Sequence, residues 1–156
     1  MSTFRTLATL GALALLLTVS ATLNAQMVVG TWVRTPTKTA PGKMTMTVEP
    51  CCGSGYKLTY RFVVGQQQTM LMTVSSPFDG REVPVMVDGK PSGETMAIKR
   101  IDDHHASTVL RMNGEPFGTS QSTLSADGKT ISVVNDVTNA ASGMPAGKTT
   151  ETWVKQ

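Results

Sequence analysis

Alternation of apolar and polar residues with a period of two is the feature that most restricts the fold of this chain. The segments Met44–Glu49 and Tyr56–Phe62 both follow this alternation without a break. Successive side chains of a strand point to opposite faces, so such segments form strands with one buried and one solvated face. No segment after residue 25 shows a sustained helical period. The sequence therefore predicts an all-β domain.

Turn sequences separate the alternating segments at short intervals. Asn-Gly and Asp-Gly pairs tolerate the positive φ angles that tight hairpin turns require. The turn signals are Gly53-Ser54-Gly55, Asp79-Gly80, Asp88-Gly89, Asn113-Gly114, Asp127-Gly128 and Gly143. The predicted strands are 28–35, 43–49, 56–64, 67–75, 81–87, 94–101, 105–112, 117–124, 130–138 and 148–155.

Roughly ten sequential antiparallel strands leave sheet edges that must be hidden from other chains. Closing the sheet into an up-and-down β-barrel removes those edges. A β-sandwich is the competing architecture. The stretch from Pro36 to Gly42 is predicted to be a loop and not a helical lid.

The first 25 residues have the features of a secretory signal peptide. Arg5 is followed by an uncharged apolar stretch from Leu7 to Val19, and Leu23-Asn24-Ala25 supplies small residues for cleavage. This apolar stretch is shorter than the roughly 20 residues of a membrane span, although an uncleaved membrane anchor is the alternative. Because Gln26 and not cysteine follows the cleavage site, we expect no lipid anchor and a secreted or periplasmic product.

Removal of residues 1–25 leaves residues 26–156, a length that suits one domain with one core. The removed segment carries one arginine and no acidic residue, so the formal net charge of +3 falls to +2. The basic residues are scattered, which favours neither nucleic acid nor an anionic membrane as a partner. We expect a monomer without a cofactor.

Gly30-Thr31-Trp32 lies at the start of the first predicted strand, and Trp153 lies in the last. A Gly-x-Trp at this position resembles the opening of lipocalins and fatty-acid-binding proteins, the calycin group of barrels. The resemblance implies that Gly30, Trp32 and Trp153 are structural residues and that the tryptophans close one end of the barrel. The segments 78–85, 99–103 and 125–130 resemble uncharacterised secreted bacterial domains with lipocalin-like barrels. The chain departs from both calycin branches because it lacks a predicted helix beside the barrel or over its mouth.

No catalytic constellation is visible in the sequence. None of the serines lies in a nucleophile-elbow context such as Gly-x-Ser-x-Gly. Cys51 and Cys52 are adjacent, and an exported chain meets an oxidising compartment. Their Cα atoms lie about 3.8 Å apart across a trans peptide, which is closer than bridged cysteines usually lie. An incidental loop bridge, free thiols, and a redox or metal-binding pair all remain open.

Two further groups of residues suggest metal chemistry, and each has a simpler explanation. The Met44/Met46 and Met70/Met72 pairs offer thioethers suited to Cu(I), but period two also places them on the apolar face as pliable core residues. The Asp102-Asp103-His104-His105 run contains metal-binding and acid–base groups, but it lies between two strands, where a solvated turn explains it. We expect no metal site, and a periplasmic copper protein is the more remote alternative.

Alternate side chains of a strand lie on the same face, and this alternation, called parity below, predicts which side chains face the barrel interior. The inward set is Met44, Met46, Leu58, Tyr60, Phe62, Met70, Met72, Met96 and Ile98. Arg100 has the parity of Met96 and Ile98, so it either points inward or reaches the rim. An inward guanidinium needs an anion, such as a ligand carboxylate with Tyr60 as a second donor.

The sequence therefore predicts a secreted barrel that binds a small apolar or amphipathic molecule. The predicted ligand-binding residues are Arg100, Tyr60, Met46, Met72, Phe62 and Met96. The alternative is a structural or protein-interaction module whose barrel is packed shut. The volume of the interior discriminates between the two, because ligand pockets measure about 300 Å³ or more.

Overall fold

The computed structural model describes residues 27–38, 42–64, 68–138 and 146–156. The predicted signal peptide, its cleavage site and the predicted turn at Gly143 lie outside these residues. Met27 and Val28 have helical backbone conformation directly before the first strand. Within the described part of the chain, no helix is long and apolar enough to cross a membrane.

Ten antiparallel strands form a closed up-and-down barrel, which confirms the predicted fold class. Each strand pairs with its neighbours in sequence, and the first strand pairs with the last, so no edge is left open. The strands are β1 (Gly30–Arg34), β2 (Met44–Cys51), β3 (Gly55–Val64), β4 (Gln68–Ser76), β5 (Asp79–Val87), β6 (Lys90–Arg100), β7 (His105–Met112), β8 (Glu115–Leu124), β9 (Thr130–Val137) and β10 (Gly147–Lys155).

The barrel has two ends that differ in their connections. At the end called here the tryptophan end, residues 27–29 precede Trp32, and residues 52–54, 77–78, 101–104 and 125–129 connect the strands. At the opposite end, called here the hairpin end, residues 88–89 join β5 to β6 and residues 113–114 join β7 to β8. Strands β1 and β6 lie on opposite sides of the barrel, since five steps separate them in either direction around the sheet.

Two of the predicted tight turns have the expected backbone. Asp88 and Gly89 have φ angles of 48° and 78°, and Asn113 and Gly114 have φ angles of 51° and 88°. Two consecutive positive φ angles are characteristic of type I′ hairpin turns, whose twist matches that of the flanking strands. Because the Asp88–Gly89 turn is so short, β6 already begins at Lys90, four residues before the predicted start.

The predicted turn at Asp79-Gly80 is wrong, because both residues belong to β5. The chain reverses at Pro77 and Phe78 instead, with Phe78 at a φ of 60°. Proline lacks an N–H for the strand ladder, and the Ser76 hydroxyl accepts a hydrogen bond of 3.2 Å from the Phe78 N–H. These two features place the turn between β4 and β5 two residues earlier than the Asp79-Gly80 pair predicts.

The core occupies the inside of the barrel, mainly toward the tryptophan end. Trp32, Val74 and Val85 have no exposed surface, and Val48 is 1 % exposed. A smaller cluster of Leu110, Phe117 and Val137 lies beneath the β7–β8 hairpin. Gly55 is required where β3 begins, because a Cβ atom there would collide with the backbone of Ser76 and Pro77.

Candidate functional site

A cavity of about 670 Å³ lies inside the barrel and is called the lumen below. Side chains from all ten strands line it, and it reaches the 102–105 connection at the tryptophan end. All nine side chains that parity predicted to face inward line this lumen. The barrel is therefore hollow along much of its length.

One wall of the lumen is apolar and rich in methionine and aromatic side chains. In the pairing of β2, β3 and β4, Met46 and Met72 flank Tyr60. Met44 and Met70 flank Phe62 in the same way. The predicted ligand-binding residues Met46, Tyr60, Phe62, Met72 and Met96 all belong to this wall. Flexible thioethers beside aromatic rings form a surface that adapts to an apolar ligand.

The wall formed by β7 to β10 carries a row of polar side chains, which the sequence reasoning missed. Thr108, Ser120, Asn135 and Thr149 occupy directly paired positions on these four strands, and all four line the lumen. Ser120 and Asn135 are buried, and the Ser120 hydroxyl donates a hydrogen bond of 2.6 Å to Asn135 Oδ1. The lumen thus presents an apolar wall and a hydrogen-bonding wall, so it suits an amphipathic molecule.

The hairpin half of the lumen contains an ion pair that the sequence reasoning also missed. Arg34 Nη1 lies 3.6 Å from Glu151 Oε1, and Arg34 Nη2 donates a hydrogen bond of 3.0 Å to the carbonyl of Gly42. Arg34 is buried, and both side chains line the lumen. The sequence does contain a signal that both residues face inward, because Arg34 has the parity of Trp32 and Glu151 has the parity of Trp153. Parity alone, however, cannot show that the two charges meet.

Glu94 on β6 and Tyr60 in the middle of β3 are two further titratable groups that line the lumen. Glu94 is 8 % exposed, and burial raises the pKa of its carboxyl group. Burial also raises the pKa of the Tyr60 phenol well above its usual range, and the charges of Glu151 and Glu94 add to this increase.

Arg100 lines the lumen with Met96 and Ile98, at the tryptophan end. Its Nη2 donates hydrogen bonds of 3.2 Å to the Tyr56 hydroxyl and 3.4 Å to the Ser54 carbonyl, and its guanidinium lies 5.5 Å from the centre of the Tyr56 ring. Tyr60 lies four residues further along β3, which corresponds to roughly 13 Å of strand. The structure therefore does not bring Arg100 and Tyr60 together as one carboxylate clamp.

The three predicted structural residues lie on the two strands that close the barrel. The Trp32 indole N–H donates a hydrogen bond of 2.9 Å to the Val28 carbonyl, and Lys155 Nζ lies 5.4 Å from the centre of its ring. Trp153 is 2 % exposed and packs edge-on against Tyr60 at 5.9 Å. Gly30 has a φ of 133°, and a Cβ atom there would lie 3.1 Å from Lys155 Cε. Its positive φ disfavours any other residue.

The Asp102-to-His105 run forms a turn that its own residues stabilise. Asp102 Oδ1 accepts hydrogen bonds of 2.8 Å from the backbone N–H groups of His104 and His105. The backbone N–H of His104, and then the His105 side chain, lower the pKa of Asp102. His104 Nδ1 instead lies 3.0 Å from the Leu124 carbonyl. No group of three or more His, Cys, Asp or Glu residues in the described ranges is arranged to hold a metal ion.

Cys51 and Cys52 form a disulfide bond at the tryptophan end, so the free-thiol alternative does not apply to this structure. Cys52 has a φ of 57° within the β2–β3 connection. With both sulfurs in the bridge, neither is a thiolate ligand. Because β3 stands between the methionines of β2 and those of β4, their strands lie about 10 Å apart. Tyr60 and Phe62 therefore lie between the two methionine pairs.

Comparisons with known proteins show similarity in fold only. No protein-family model matches the chain, and no curated protein matches it either. Among solved structures, a mutant of the fluorescent protein UnaG matches with a TM-score of 0.59 and 9 % identity, over 84 % of this chain and 97 % of that protein. Wild-type UnaG matches with a TM-score of 0.55 and 10 % identity, over 85 % and 99 % of the two chains. The fold of this chain is therefore similar to that of UnaG.

Proposed function

We propose that this protein is an exported barrel that binds a small amphipathic molecule in its lumen. The observation that carries the proposal is the lumen itself. Its volume of about 670 Å³ lies within the range of about 300–1,000 Å³ that is usual for ligand pockets. In a barrel packed shut as a structural module, side chains would fill this space to the density of a protein interior.

The chemistry of the two walls supports an amphipathic ligand. The apolar wall from β2 to β6 offers methionine and aromatic surface, whereas Thr108, Ser120, Asn135 and Thr149 offer hydrogen-bonding groups on the facing wall. A purely apolar ligand would leave the polar groups without partners, which costs free energy in a buried site. A ligand with one apolar and one polar part satisfies both walls.

Export is supported by the N-terminal sequence and by the cysteines. Arg5, the apolar stretch from Leu7 to Val19 and the Ala25–Gln26 site form the pattern of a cleaved signal peptide. The Cys51–Cys52 disulfide suits an oxidising compartment such as the periplasm or the extracellular space.

A titration with Nile red, an uncharged apolar fluorophore, tests the proposal with two matched variants. Ala106 lines the lumen, whereas Ser107, the next residue on β7, has the opposite parity. Ala106→Trp should fill part of the lumen and lower the affinity for Nile red at least about tenfold, about 1.4 kcal/mol. Ser107→Trp should leave the affinity unchanged, and circular dichroism should show that both variants are folded.

Equal effects of the two variants would show that the fluorophore binds outside the lumen. Absence of binding at micromolar concentrations would favour the packed module instead. Mass spectrometry of small molecules that purify with the secreted protein would then identify the natural ligand class without any assumption about its chemistry.

A further inference from the structure

Among the described residues, three charged side chains line the hairpin half of the lumen, and two of these three pair with each other. Arg34 pairs with Glu151 at 3.6 Å on the β1–β10 side of the barrel. Glu94 lies on β6, on the opposite side from β1. The Arg34 guanidinium also donates a hydrogen bond from Nη2 to the Gly42 carbonyl. The Arg34–Glu151 pair therefore does not balance the negative charge of the Glu94 carboxylate in the lumen.

The neighbours of Glu94 do not balance its charge. The Glu94 carboxylate has no basic side chain within ion-pair distance among residues 27–38, 42–64, 68–138 and 146–156. Arg111, on the adjacent β7, pairs with Glu82 at 3.2 Å. The Ser92 hydroxyl donates to the Val85 carbonyl and accepts from the Glu94 backbone N–H, so its single proton is not available to the Glu94 carboxylate.

An ionised carboxylate in a desolvated site requires a cation or a set of hydrogen-bond donors. Glu94 is 8 % exposed and lines the lumen, so a bound molecule can supply the partner. The Tyr60 ring also lines the lumen. Aromatic faces attract cations, most strongly where water is excluded. These features all favour positive charge in a ligand.

We propose that the lumen recognises an amphipathic amine, whose ammonium group pairs with Glu94 while its hydrocarbon part lies against the methionine-rich wall. This inference rests on the proposed lumen-binding function and specifies its ligand class. A carboxylate in the same place would face Glu94 without a free cation, because Arg34 is engaged with Glu151. The other lumen-lining arginine, Arg100, is bound to Tyr56 and Ser54 at the tryptophan end.

Isothermal titration with dodecylamine, dodecanol and dodecanoate at pH 8 tests the inference, because these molecules share one chain and differ in the head group. The amine remains protonated at this pH, since alkyl ammonium groups such as that of lysine have a pKa of about 10.4. Wild-type protein should bind the amine about 10- to 100-fold more tightly than the alcohol, as expected for one charged hydrogen-bonded contact. The carboxylate should bind most weakly.

Glu94→Gln keeps the shape of the side chain and removes its charge. This variant should lose the preference for the amine and retain the affinity for the alcohol. Glu49→Gln is the matched control, because Glu49 is exposed on β2 and does not line the lumen. The control should bind all three molecules as the wild type does.

The position of the bound amine provides a second readout that a general loss of stability cannot imitate. In nuclear Overhauser spectra, the methylene next to nitrogen should contact the side chain of Met112, which is paired directly with Glu94 and also lines the lumen. Contacts with Asp102 and Asp103 at the tryptophan end would overturn the inference, as would an amine preference that survives Glu94→Gln. Equal binding of amine and alcohol would refute the amine inference and leave the lumen function intact. If none of the three molecules binds while Nile red still binds, the amine inference is refuted and the lumen function stands; if Nile red also fails to bind, both are refuted.

Discussion

Replacement of Trp32 by alanine should destabilise the barrel more than a change at any surface strand position. Trp32 is fully buried, and a buried tryptophan removes about 150–250 Å² from water. At about 25 cal/mol per Å², this area corresponds to roughly 4–6 kcal/mol. Partial relaxation around the cavity brings the expected loss to about 3–5 kcal/mol, the usual cost of an aromatic-to-alanine change.

The Val28 carbonyl contributes to the same loss, because it accepts the hydrogen bond of the Trp32 indole. Trp32→Phe separates this contribution from the packing contribution. The phenylalanine variant keeps most of the apolar surface and removes the N–H donor, so we expect a loss of about 1–2 kcal/mol. Val154→Ala is the surface control, since Val154 is 42 % exposed, and it should change the stability by less than about 0.5 kcal/mol.

Urea denaturation followed by far-ultraviolet circular dichroism measures these differences as shifts in the midpoint at constant slope. A loss below about 1 kcal/mol for Trp32→Ala would show that Trp32 is peripheral to the core, outside the range for a buried tryptophan. A change in slope would show that the variant alters the unfolded or native ensemble, and the burial argument would then not explain the result.

Three other properties can be tested in the same way. Burial raises the pKa of the Glu94 carboxyl group, so the folded state holds the Glu94 proton more tightly than the unfolded chain does. The free energy of unfolding of the wild type should therefore fall relative to that of Glu94→Gln as the pH rises above about 4.3. The same pH dependence of stability in the two proteins would contradict this prediction. The Cys51–Cys52 bridge joins adjacent residues, so it hardly restricts the unfolded chain. Its reduction should therefore lower the free energy of unfolding by less than about 2 kcal/mol, the lower end of the usual range for disulfides. A larger loss in a urea titration with a phosphine reductant would contradict this prediction. N-terminal sequencing of exported protein should begin at or near Gln26, and retention of Met1 would rule out cleavage.

Local sequence patterns determined the fold of this protein. Alternation in Met44–Glu49 and Tyr56–Phe62 defines strands whose faces differ, and Asp88-Gly89 and Asn113-Gly114 define hairpins through their positive φ angles. Both signals act over a few residues, so they can be read without tertiary information. The nine inward residues followed from the same parity, because β2, β3, β4 and the second half of β6 are free of the irregularities that reverse it.

Parity failed where a strand contains an irregularity. The register of β7 and β8 shifts between Leu110 and Arg111, and both Phe117 and Gly118 are consequently buried. Beyond that point the even residues of β8 face inward, including Ser120. Alternation counted from Phe117 would have placed Thr119 inward instead. A bulge shifts every following side chain to the other face, which is why the polar wall could not be predicted from composition.

Only the tertiary structure decided how the charged groups in the lumen are paired. Arg34 and Glu151 meet because β1 closes the barrel against β10, and they are 117 positions apart in the sequence. The same closure places Glu94 on the far side, away from the Arg34 guanidinium that could have neutralised it. Local patterns determine the face on which a side chain lies, whereas its charge partner depends on which distant strands become neighbours. Barrel closure and register set those neighbours, and the chemistry of the lumen follows from them.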